Sequence, residues 1–252
     1  MPPIRPLPAA ALFDWDGTLV DTIALIYRAN VVVLREIGIG MSRDWYRDHY
    51  SPDWRKAYQD LGIPEDLWEA IGARWAEEMA AARPRALPWA RPALRRLRAH
   101  GVRLGLVTAS TRSVVEPNLA RLNLEDAFEV IRYSDDVVQS KPHPDALLEA
   151  LDELDVRAAD TVYVGDTTVD LAMANAAGAP FVAVGRTVPV PRFREAGVQH
   201  VWAGVGEWAD DLLGPRQASG TRIAARRGGT SEPAIRSVRH GVDGGSAPTI
   251  EA

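Results

Sequence analysis

The chain has 252 residues, 46% of them hydrophobic, and a formal net charge of −5. It contains no cysteine, which excludes disulfides, thiolate metal sites and a cysteine nucleophile. The acidic balance argues against binding to the phosphate backbone of nucleic acids, and no apolar run is long enough to predict a transmembrane segment. We therefore expect a globular protein of the cytoplasm, with neither nucleic acid nor membrane as a partner.

Apolar runs alternate with segments of helical period along most of the chain. The runs are 10–14, 103–107, 128–131, 161–165 and 180–184, with a weaker one at 200–203. The helical segments are 91–100, 113–122, 144–154 and 169–177. Near-continuous apolar strands that alternate with helices indicate a parallel sheet covered on both faces. The predicted fold class is α/β, a doubly wound parallel sheet.

Residues 22–88, here called the cap, interrupt this alternation. They contain no convincing strand and are predicted to form three helices, at 23–37, 52–61 and 64–82. We predict a helical domain inserted after the first strand, over the carboxyl ends of the strands, where open α/β sheets bind ligands. The core is then 8–21 and 89–214. The segment 215–252 is rich in Gly, Ser and Arg and is predicted to be a disordered tail.

The first apolar run leads into the stretch FDWDGTLVD at 13–21. Asp14 and Asp16 leave the strand on one face, because side chains alternate along a strand. Two neighbouring carboxylates require that one is protonated, as a general acid beside a nucleophile, or that a divalent cation intervenes. The stretch is also compatible with a simple turn in which Asp21 or Thr22 begins the next helix.

Other polar residues follow later strands of the predicted sheet. The stretch LGLVTAS at 104–110 ends in Thr108 and Ser110. Their hydroxyl groups and the following backbone amides can hold phosphate oxygens at a helix N-terminus. Asp166 ends the run at 161–165. Together, these strand ends predict a phosphate and magnesium site at one edge of the sheet.

Two further charged residues stand close to these strand ends in the sequence. Lys141, one of only two lysines in the chain, precedes a proline-started helix; the alternative is a solvated loop lysine. Asp170 begins the helix that follows Asp166, and its alternative role is to complement the dipole of that helix.

In this order the motifs resemble those of the haloacid dehalogenase superfamily, in particular its phosphatases with a helical cap after the first motif. The motifs are FDWDGTLVD, the Thr of VTAS, the Lys of KPHPD and the GDTTVD of 165–170, and the match spans roughly residues 10–205. The resemblance implies a Mg²⁺-dependent phosphatase of a small phosphorylated metabolite, with phosphoglycolate as the first candidate. A phosphosugar mutase, a pyrophosphatase and a non-catalytic binding protein of the same fold are the alternatives.

The resemblance also implies residue roles. Asp14 would attack phosphorus, and Asp16 would protonate the leaving oxygen and then activate water. The metal would be held by Asp14, the backbone carbonyl of Asp16 and Asp166, with Asp170 in support. The residues at the substrate phosphate would be Gly17, Thr108, Ala109 and Lys141. The presence of Asp16 favours phosphate esters over halides, because an alkoxide leaving group needs a proton.

The cap supplies candidates for substrate contact, foremost Arg55 and Lys56. The wider set comprises Arg28, Asn30, Trp45, Tyr50, Arg55, Lys56, Arg74 and Trp75. Aromatic residues at helical spacing also occur in ordinary cores, and arginine on a helix face is often solvated. The stretch GVGEWA at 204–209 fits a dinucleotide fingerprint, but no further βαβ unit follows it, so we expect no nucleotide there.

Overall fold

A six-stranded parallel sheet forms the centre of the protein. The computed structural model describes residues 6–50, 54–185 and 187–215, so the predicted tail lies outside the described residues except for its first member, Pro215. The strands are β1 (Ala10–Phe13), β2 (Val20–Asp21), β3 (Arg85–Ala86), β4 (Arg103–Val107), β5 (Val130–Arg132), β6 (Thr161–Gly165), β7 (Phe181–Val184) and β8 (Val201–Trp202). The order in the large sheet is β5-β4-β1-β6-β7-β8, and all of its pairings are parallel.

Helices surround this sheet and form the cap. They are α1 (Ile23–Glu36), α2 (Arg43–His49), α3 (Trp54–Asp60), α4 (Trp68–Ala81), α5 (Ala90–Ala99), α6 (Arg112–Arg121), α7 (Asp145–Glu153), α8 (Thr168–Ala177), α9 (Val190–Glu195) and α10 (Val205–Leu213). None of the helices in the described part of the chain has the length and apolar character to cross a membrane. The predicted α/β fold with a parallel sheet is confirmed.

The alternation of side chains along β1 explains why both faces of the sheet are covered. Ala11 and Phe13 pack in one hydrophobic cluster with residues of α5 and α10. Ala10 and Leu12 pack in another with residues of α7 and α8. All four side chains are fully buried. A strand that is apolar on both faces therefore lies in the middle of the sheet, with helices above and below.

A two-stranded ribbon joins the cap to the sheet. β2 precedes α1 and pairs antiparallel with β3, which follows α4, so that Val20 is opposite Ala86 and Asp21 is opposite Arg85. The prediction that 22–88 contains no strand is wrong at Arg85–Ala86, because a two-residue strand is too short to show a period. The division into a core of 8–21 and 89–214 and a cap of 22–88 stays a prediction.

The cap has a small hydrophobic cluster of its own, formed by Val33, Leu34, Tyr58, Ile63 and Ile71. A second cluster joins Ala29 and Met79 of the cap to Val114 of α6. The cap is therefore packed internally and also against the helix that follows β4.

Element boundaries differ from the predictions at several places. β5 begins two residues later than predicted, because a 3-10 turn at Glu125–Ala127 precedes it. The helices α2, α9 and α10 were not predicted. α2 is short and buries no residue fully, so its sequence lacks a clear apolar period. The Ser42 hydroxyl caps this helix by accepting a hydrogen bond from the Trp45 amide.

The glycine-rich stretch at 204–209 is the start of α10. A Cβ added at Gly206 would lie 2.5 Å from the Cβ of Trp89. This glycine therefore permits the close packing of α10 against Trp89.

Candidate active site

Three neighbouring strands deliver their following residues to one edge of the sheet. β1 lies between β4 and β6, with Phe13 in register with Leu106 and Val164. Because the strands are parallel, the residues beyond their carboxyl ends meet at this edge. Asp14, Thr108 and Asp166 are all buried there.

Lys141 is the cation at the centre of the site. Its Nζ donates hydrogen bonds of 2.6 Å to Asp14 Oδ1 and 2.8 Å to Asp170 Oδ1. It also lies 5.2 Å from the centroid of the Tyr163 ring. Burial lowers the pKa of Lys141, but the charges of Asp14 and Asp170 outweigh this effect and raise that pKa well above its ordinary value. The lysine is therefore a buried, charged group, and the alternative of a solvated loop lysine is wrong.

Asp170 holds Lys141 and also begins α8. Its Oδ2 accepts hydrogen bonds from the Thr167 amide at 3.1 Å and the Thr167 hydroxyl at 2.5 Å, while the Thr167 hydroxyl accepts from the Asp170 amide. This is a capping box. One oxygen of Asp170 thus serves the start of the helix, as the alternative reading expects, and the other accepts a hydrogen bond from the lysine; the predicted support of a metal stays a prediction.

Asp166 is held by two threonine hydroxyl groups. Thr18 donates a 3.2 Å hydrogen bond to Oδ1, and Thr187 donates to Oδ2. Gly17 packs against the same carboxylate: a Cβ at this position would lie 2.1 Å from Asp166 Oδ2, and its φ is +74°. Only glycine accommodates both constraints without strain.

Asp16 has one bonded and one unpartnered carboxylate oxygen. Ser110 donates a 2.6 Å hydrogen bond to Oδ2, whereas Oδ1 is buried without a hydrogen-bond partner among the described residues. Burial raises the pKa of Asp16, although the hydrogen bond from Ser110 lowers it. Asp16 is therefore biased toward carrying a proton, as a general acid must.

A cavity of about 340 Å³ opens over these residues. The core contributes Asp14, Asp16, Ala109, Ser110, Thr111, Ser134, Lys141, Thr167 and Asp170 to its lining. The cap contributes Ile26, Asn30, Met41, Trp45, Tyr46, His49, Tyr50, Trp54, Ala57, Tyr58, Leu61, Gly72, Trp75 and Ala76. The volume is in the lower range for small-molecule sites.

The sequence of the chain matches a known protein family. A sequence model of haloacid dehalogenase-like hydrolases matches residues 11–184, which is more than half of the chain. The chain belongs to the haloacid dehalogenase-like hydrolases. The predicted membership of this family is confirmed, and the predicted assignment as an enzyme agrees with it.

Individual relatives support the assignment. Phosphoglycolate phosphatase of Yersinia pestis is 30% identical over 185 residues, which cover 68% of this chain and 78% of that protein. Pyrophosphatase PpaX of Bacillus mycoides is 29% identical over 196 residues, which cover 73% and 87%. The crystal structure of a haloacid dehalogenase-like hydrolase from Bacteroides fragilis has a TM-score of 0.74 at 28% identity, covering 80% of this chain and 99% of that one.

The acidic residues of this hydrolase form a cluster suited to a divalent cation. One carboxylate oxygen from each of Asp14, Asp166 and Asp170 lies within 4.8 Å of the others. Burial raises the pKa of Asp14 to about 7; Lys141 opposes the shift, and Asp170 adds to it. Burial also raises the pKa of Asp166 well above its ordinary value, and the charges of Asp14 and Asp170 increase the effect. Crowded, buried carboxylate oxygens are the ligands that hard divalent cations bind.

The four basic candidates of the cap do not reach the cavity. Arg55 and Lys56 lie on the exposed face of α3, where Arg55 stacks on Trp54 and Lys56 pairs with Asp60. Arg74 pairs with acidic residues of the cap surface, and Arg28 bonds to a carbonyl of its own helix. Arg55 and Lys56 are not among the residues that line the cavity, because their helix turns small and aromatic side chains toward it, and their contact with the substrate stays a prediction.

Among the other cap candidates, Asn30, Trp45, Tyr50 and Trp75 line the cavity. In the core, the predicted phosphate contacts Gly17 and Thr108 are not among the residues that line the cavity.

The Gly17 amide donates to the Val20 carbonyl, and the Thr108 hydroxyl accepts a hydrogen bond from the Ser110 amide. Ala109 and Ser110 are the members of the VTAS motif that line the cavity.

Three residues at the site, Thr187, Tyr163 and Tyr46, were not predicted from the sequence. Thr187 follows the end of β7, so the signal of a polar residue at a strand end was present. Tyr163 lies inside β6 and donates to the Val107 carbonyl at 2.7 Å. Tyr46 carries a buried hydroxyl without a hydrogen-bond partner among the described residues. For Tyr46 the sequence contains no comparable signal.

Proposed function

We propose that this protein is a Mg²⁺-dependent phosphatase that hydrolyses a small phosphomonoester through an aspartyl-phosphate intermediate. The observation that carries the proposal is the pairing of Asp14 with the buried Lys141, next to an Asp16 whose Oδ1 has no partner among the described residues. Lys141 engages Oδ1 of Asp14, and Oδ2 accepts no hydrogen bond from the described residues, so it is available as a nucleophile.

In the first step, Asp14 Oδ2 attacks phosphorus, and an oxygen–phosphorus bond forms as the ester bond of the leaving group breaks. Asp16 transfers its proton to the leaving oxygen, so that an alcohol departs rather than an alkoxide. The raised pKa of Asp16 supports this role, because the acid must still hold its proton when the substrate binds.

In the second step, water attacks phosphorus of the aspartyl phosphate. Asp16, now ionised, takes a proton from the water, the bond between phosphorus and Asp14 breaks, and inorganic phosphate leaves. Both carboxyl groups return to their starting states. Lys141 remains charged throughout and stabilises negative charge on Asp14 and on the phosphoryl group.

Asp14, Asp166 and the backbone carbonyl of Asp16 would hold the metal, whose charge would neutralise the phosphoryl oxygens. Asp170 Oδ1 accepts a hydrogen bond from the buried Lys141, so we assign Asp170 the role of holding the lysine and supporting the metal site from behind. The cytoplasmic location stays part of this proposal.

The names of the relatives rank the candidate substrates. Phosphoglycolate comes first, and pyrophosphate second, because relatives of this chain carry these two names. A phosphosugar mutase would use the same two acids but would return the phosphoryl group to a second hydroxyl of the substrate. The products separate the three cases: inorganic phosphate from a monoester, inorganic phosphate from pyrophosphate, or an isomeric sugar phosphate.

A phosphate-release assay with Mg²⁺ tests the proposal on phosphoglycolate, pyrophosphate, sugar phosphates and 4-nitrophenyl phosphate. We expect release from monoesters, and a loss of at least about a thousandfold in Asp14→Asn. Asp21→Asn is the matched control, since Asp21 is an exposed acid of the same motif. Unchanged turnover in Asp14→Asn, or no release from any ester, would refute the proposed function.

A further inference from the structure

The part of the cavity that lies beyond the phosphoryl site has mainly aromatic and small apolar walls. α2 and the residue that follows it contribute Trp45, Tyr46 and Tyr50. α3 contributes Trp54 and Tyr58, which also pack edge to face with each other at 5.1 Å between ring centroids. The group attached to the phosphate of a substrate therefore meets ring faces and edges.

Positive charge is scarce in this part of the cavity. Among the described residues of the cap that line it, His49 is the only one whose side chain can carry a positive charge. The ring of His49 stacks on Trp45 at 4.5 Å, and its Nδ1 lies 2.9 Å from the Trp45 carbonyl oxygen. A second phosphate or a carboxylate on the substrate would lose water here and gain little in return.

Small residues make room between the aromatic walls. Gly72 lies inside α4, where glycine is unfavourable for a helix, and it lines the cavity. A Cβ added to Gly72 would have no heavy atom within 4 Å. Ala57 of α3 and Ala76 of α4 also line the cavity. These small residues therefore leave open space in the lining of the cavity.

The Tyr46 hydroxyl is a polar group on the cap side of the cavity, and burial together with the charges of Asp16 and Asp166 raises the pKa of Tyr46. The hydroxyl is buried and has no hydrogen-bond partner among the described residues. A buried hydroxyl without a partner is unfavourable, so a ligand atom that accepts its proton would gain a hydrogen bond.

We propose that this enzyme acts on phosphate monoesters whose alcohol part carries a flat, uncharged, apolar group of about the size of an aromatic ring. The inference rests on the proposed function and names its substrate class. It also departs from phosphoglycolate, whose carboxylate would face aromatic walls. The cavity of about 340 Å³ is large enough for such a ring and small enough to exclude a macromolecule.

A pair of substrates with similar leaving groups tests the proposal. Ethyl phosphate and 2-phenylethyl phosphate are both esters of primary alcohols, so they differ mainly in the ring. We expect kcat/KM for 2-phenylethyl phosphate to be at least about 100-fold higher than for ethyl phosphate or phosphoglycolate, since even one methylene in an apolar pocket changes this ratio by about 10-fold to 200-fold.

Filling the cavity should remove this preference. We expect Gly72→Leu to lower the ratio of kcat/KM for 2-phenylethyl phosphate to kcat/KM for ethyl phosphate by about tenfold or more. Ala73→Leu adds the same side chain on the exposed side of the same helix and should change neither value. Trp45→Leu removes an aromatic wall without filling the cavity and should also lower the preference, with Trp202→Leu, a half-buried aromatic outside the cavity, as its control.

The outcomes separate the inference from the function beneath it. Equal kcat/KM for the two alkyl esters, a preference for phosphoglycolate, or equal losses on both alkyl esters in Gly72→Leu would overturn the substrate class while Mg²⁺-dependent turnover persists. No phosphate release from any ester, or release by Asp14→Asn equal to that of the wild type, would instead overturn the proposed phosphatase. A thermal unfolding curve of each variant confirms that the folded protein is being compared.

Discussion

Lys141 Nζ donates a 2.6 Å hydrogen bond to Asp14 Oδ1, although the two residues are 127 positions apart in the sequence. Both side chains are almost fully buried. Removing one partner of such a pair leaves the other charge buried and uncompensated, which typically costs about 3–5 kcal/mol. This contact therefore links the stability of the fold to the chemistry of the site.

Replacement of Lys141 tests that link. We expect Lys141→Met to lower the free energy of unfolding by about 3 kcal/mol and kcat by about 100-fold to 1,000-fold. Urea unfolding and phosphate release measure the two effects.

Lys56→Met is the matched control, because the only other lysine of the chain forms an exposed pair with Asp60. An exposed pair of this kind contributes less than about 1 kcal/mol. Equal effects of the two substitutions would contradict the role assigned to Lys141.

Mg²⁺ should stabilise the protein more as the pH rises. The pKa of Asp14 is about 7 in the folded protein and 3.8 as the ordinary value, mainly because of burial. The folded state therefore holds a proton that the unfolded state releases, and the metal-free protein loses stability as the pH rises from about 4 to about 7. A cation competes with that proton.

We expect the increase in melting temperature caused by millimolar Mg²⁺ to grow between about pH 6 and about pH 8. Differential scanning fluorimetry measures it. In Asp14→Asn, which cannot ionise at this position, the increase should depend less on pH. A wild-type response that stays constant over this range would contradict the prediction.

Gly17→Ala should damage both the fold and the site. Its φ of +74° is unfavourable for alanine, and the new Cβ would lie 2.1 Å from Asp166 Oδ2. We expect a loss of about 2–3 kcal/mol in the free energy of unfolding together with reduced Mg²⁺ affinity.

Gly38→Ala provides the comparison, since Gly38 has a φ of +80° but no heavy atom within 4 Å of an added Cβ. Backbone strain alone costs about 1–2 kcal/mol there and should leave Mg²⁺ affinity unchanged. Similar Mg²⁺ affinities of the two variants would show that Gly17 does not support Asp166.

Ser110→Ala should change the pH profile of turnover. The Ser110 hydroxyl donates to Asp16 Oδ2 and lowers the pKa of that carboxyl, so its loss raises the pKa further. Asp16 must be ionised to take a proton from water in the second step, so we expect kcat to fall on the acidic side of the profile and to recover as the pH rises.

Ser113→Ala, an exposed serine in the first turn of α6, should leave the profile of kcat against pH unchanged. A drop in kcat that is the same at every pH would argue against a role of Ser110 in positioning and tuning Asp16.

The strand ends could be predicted from the sequence because they depend on local patterns. The apolar run at 10–14 ends in Asp14, and the runs at 103–107 and 161–165 are followed at once by Thr108 and Asp166; parallel strands bring such residues to one edge. The same pattern was present at Thr187, but the hydroxyl there was not selected.

The lining of the cap could not be predicted in this way. Arg55 and Lys56 are chemically suited to a phosphorylated substrate, yet α3 places them on its outer face and turns Ala57 and Tyr58 toward the cavity. The direction of a helix face depends on what the helix packs against, and here that is the rest of the cap.

The sequence by itself thus determined which strand ends carry the polar residues of the candidate site, because strand alternation and strand ends are local properties of the chain. Only the tertiary structure decided the partner of Lys141, the orientation of the cap helices and the apolar character of the cavity. Those features arise from contacts between residues far apart in the sequence, and no local period specifies such contacts.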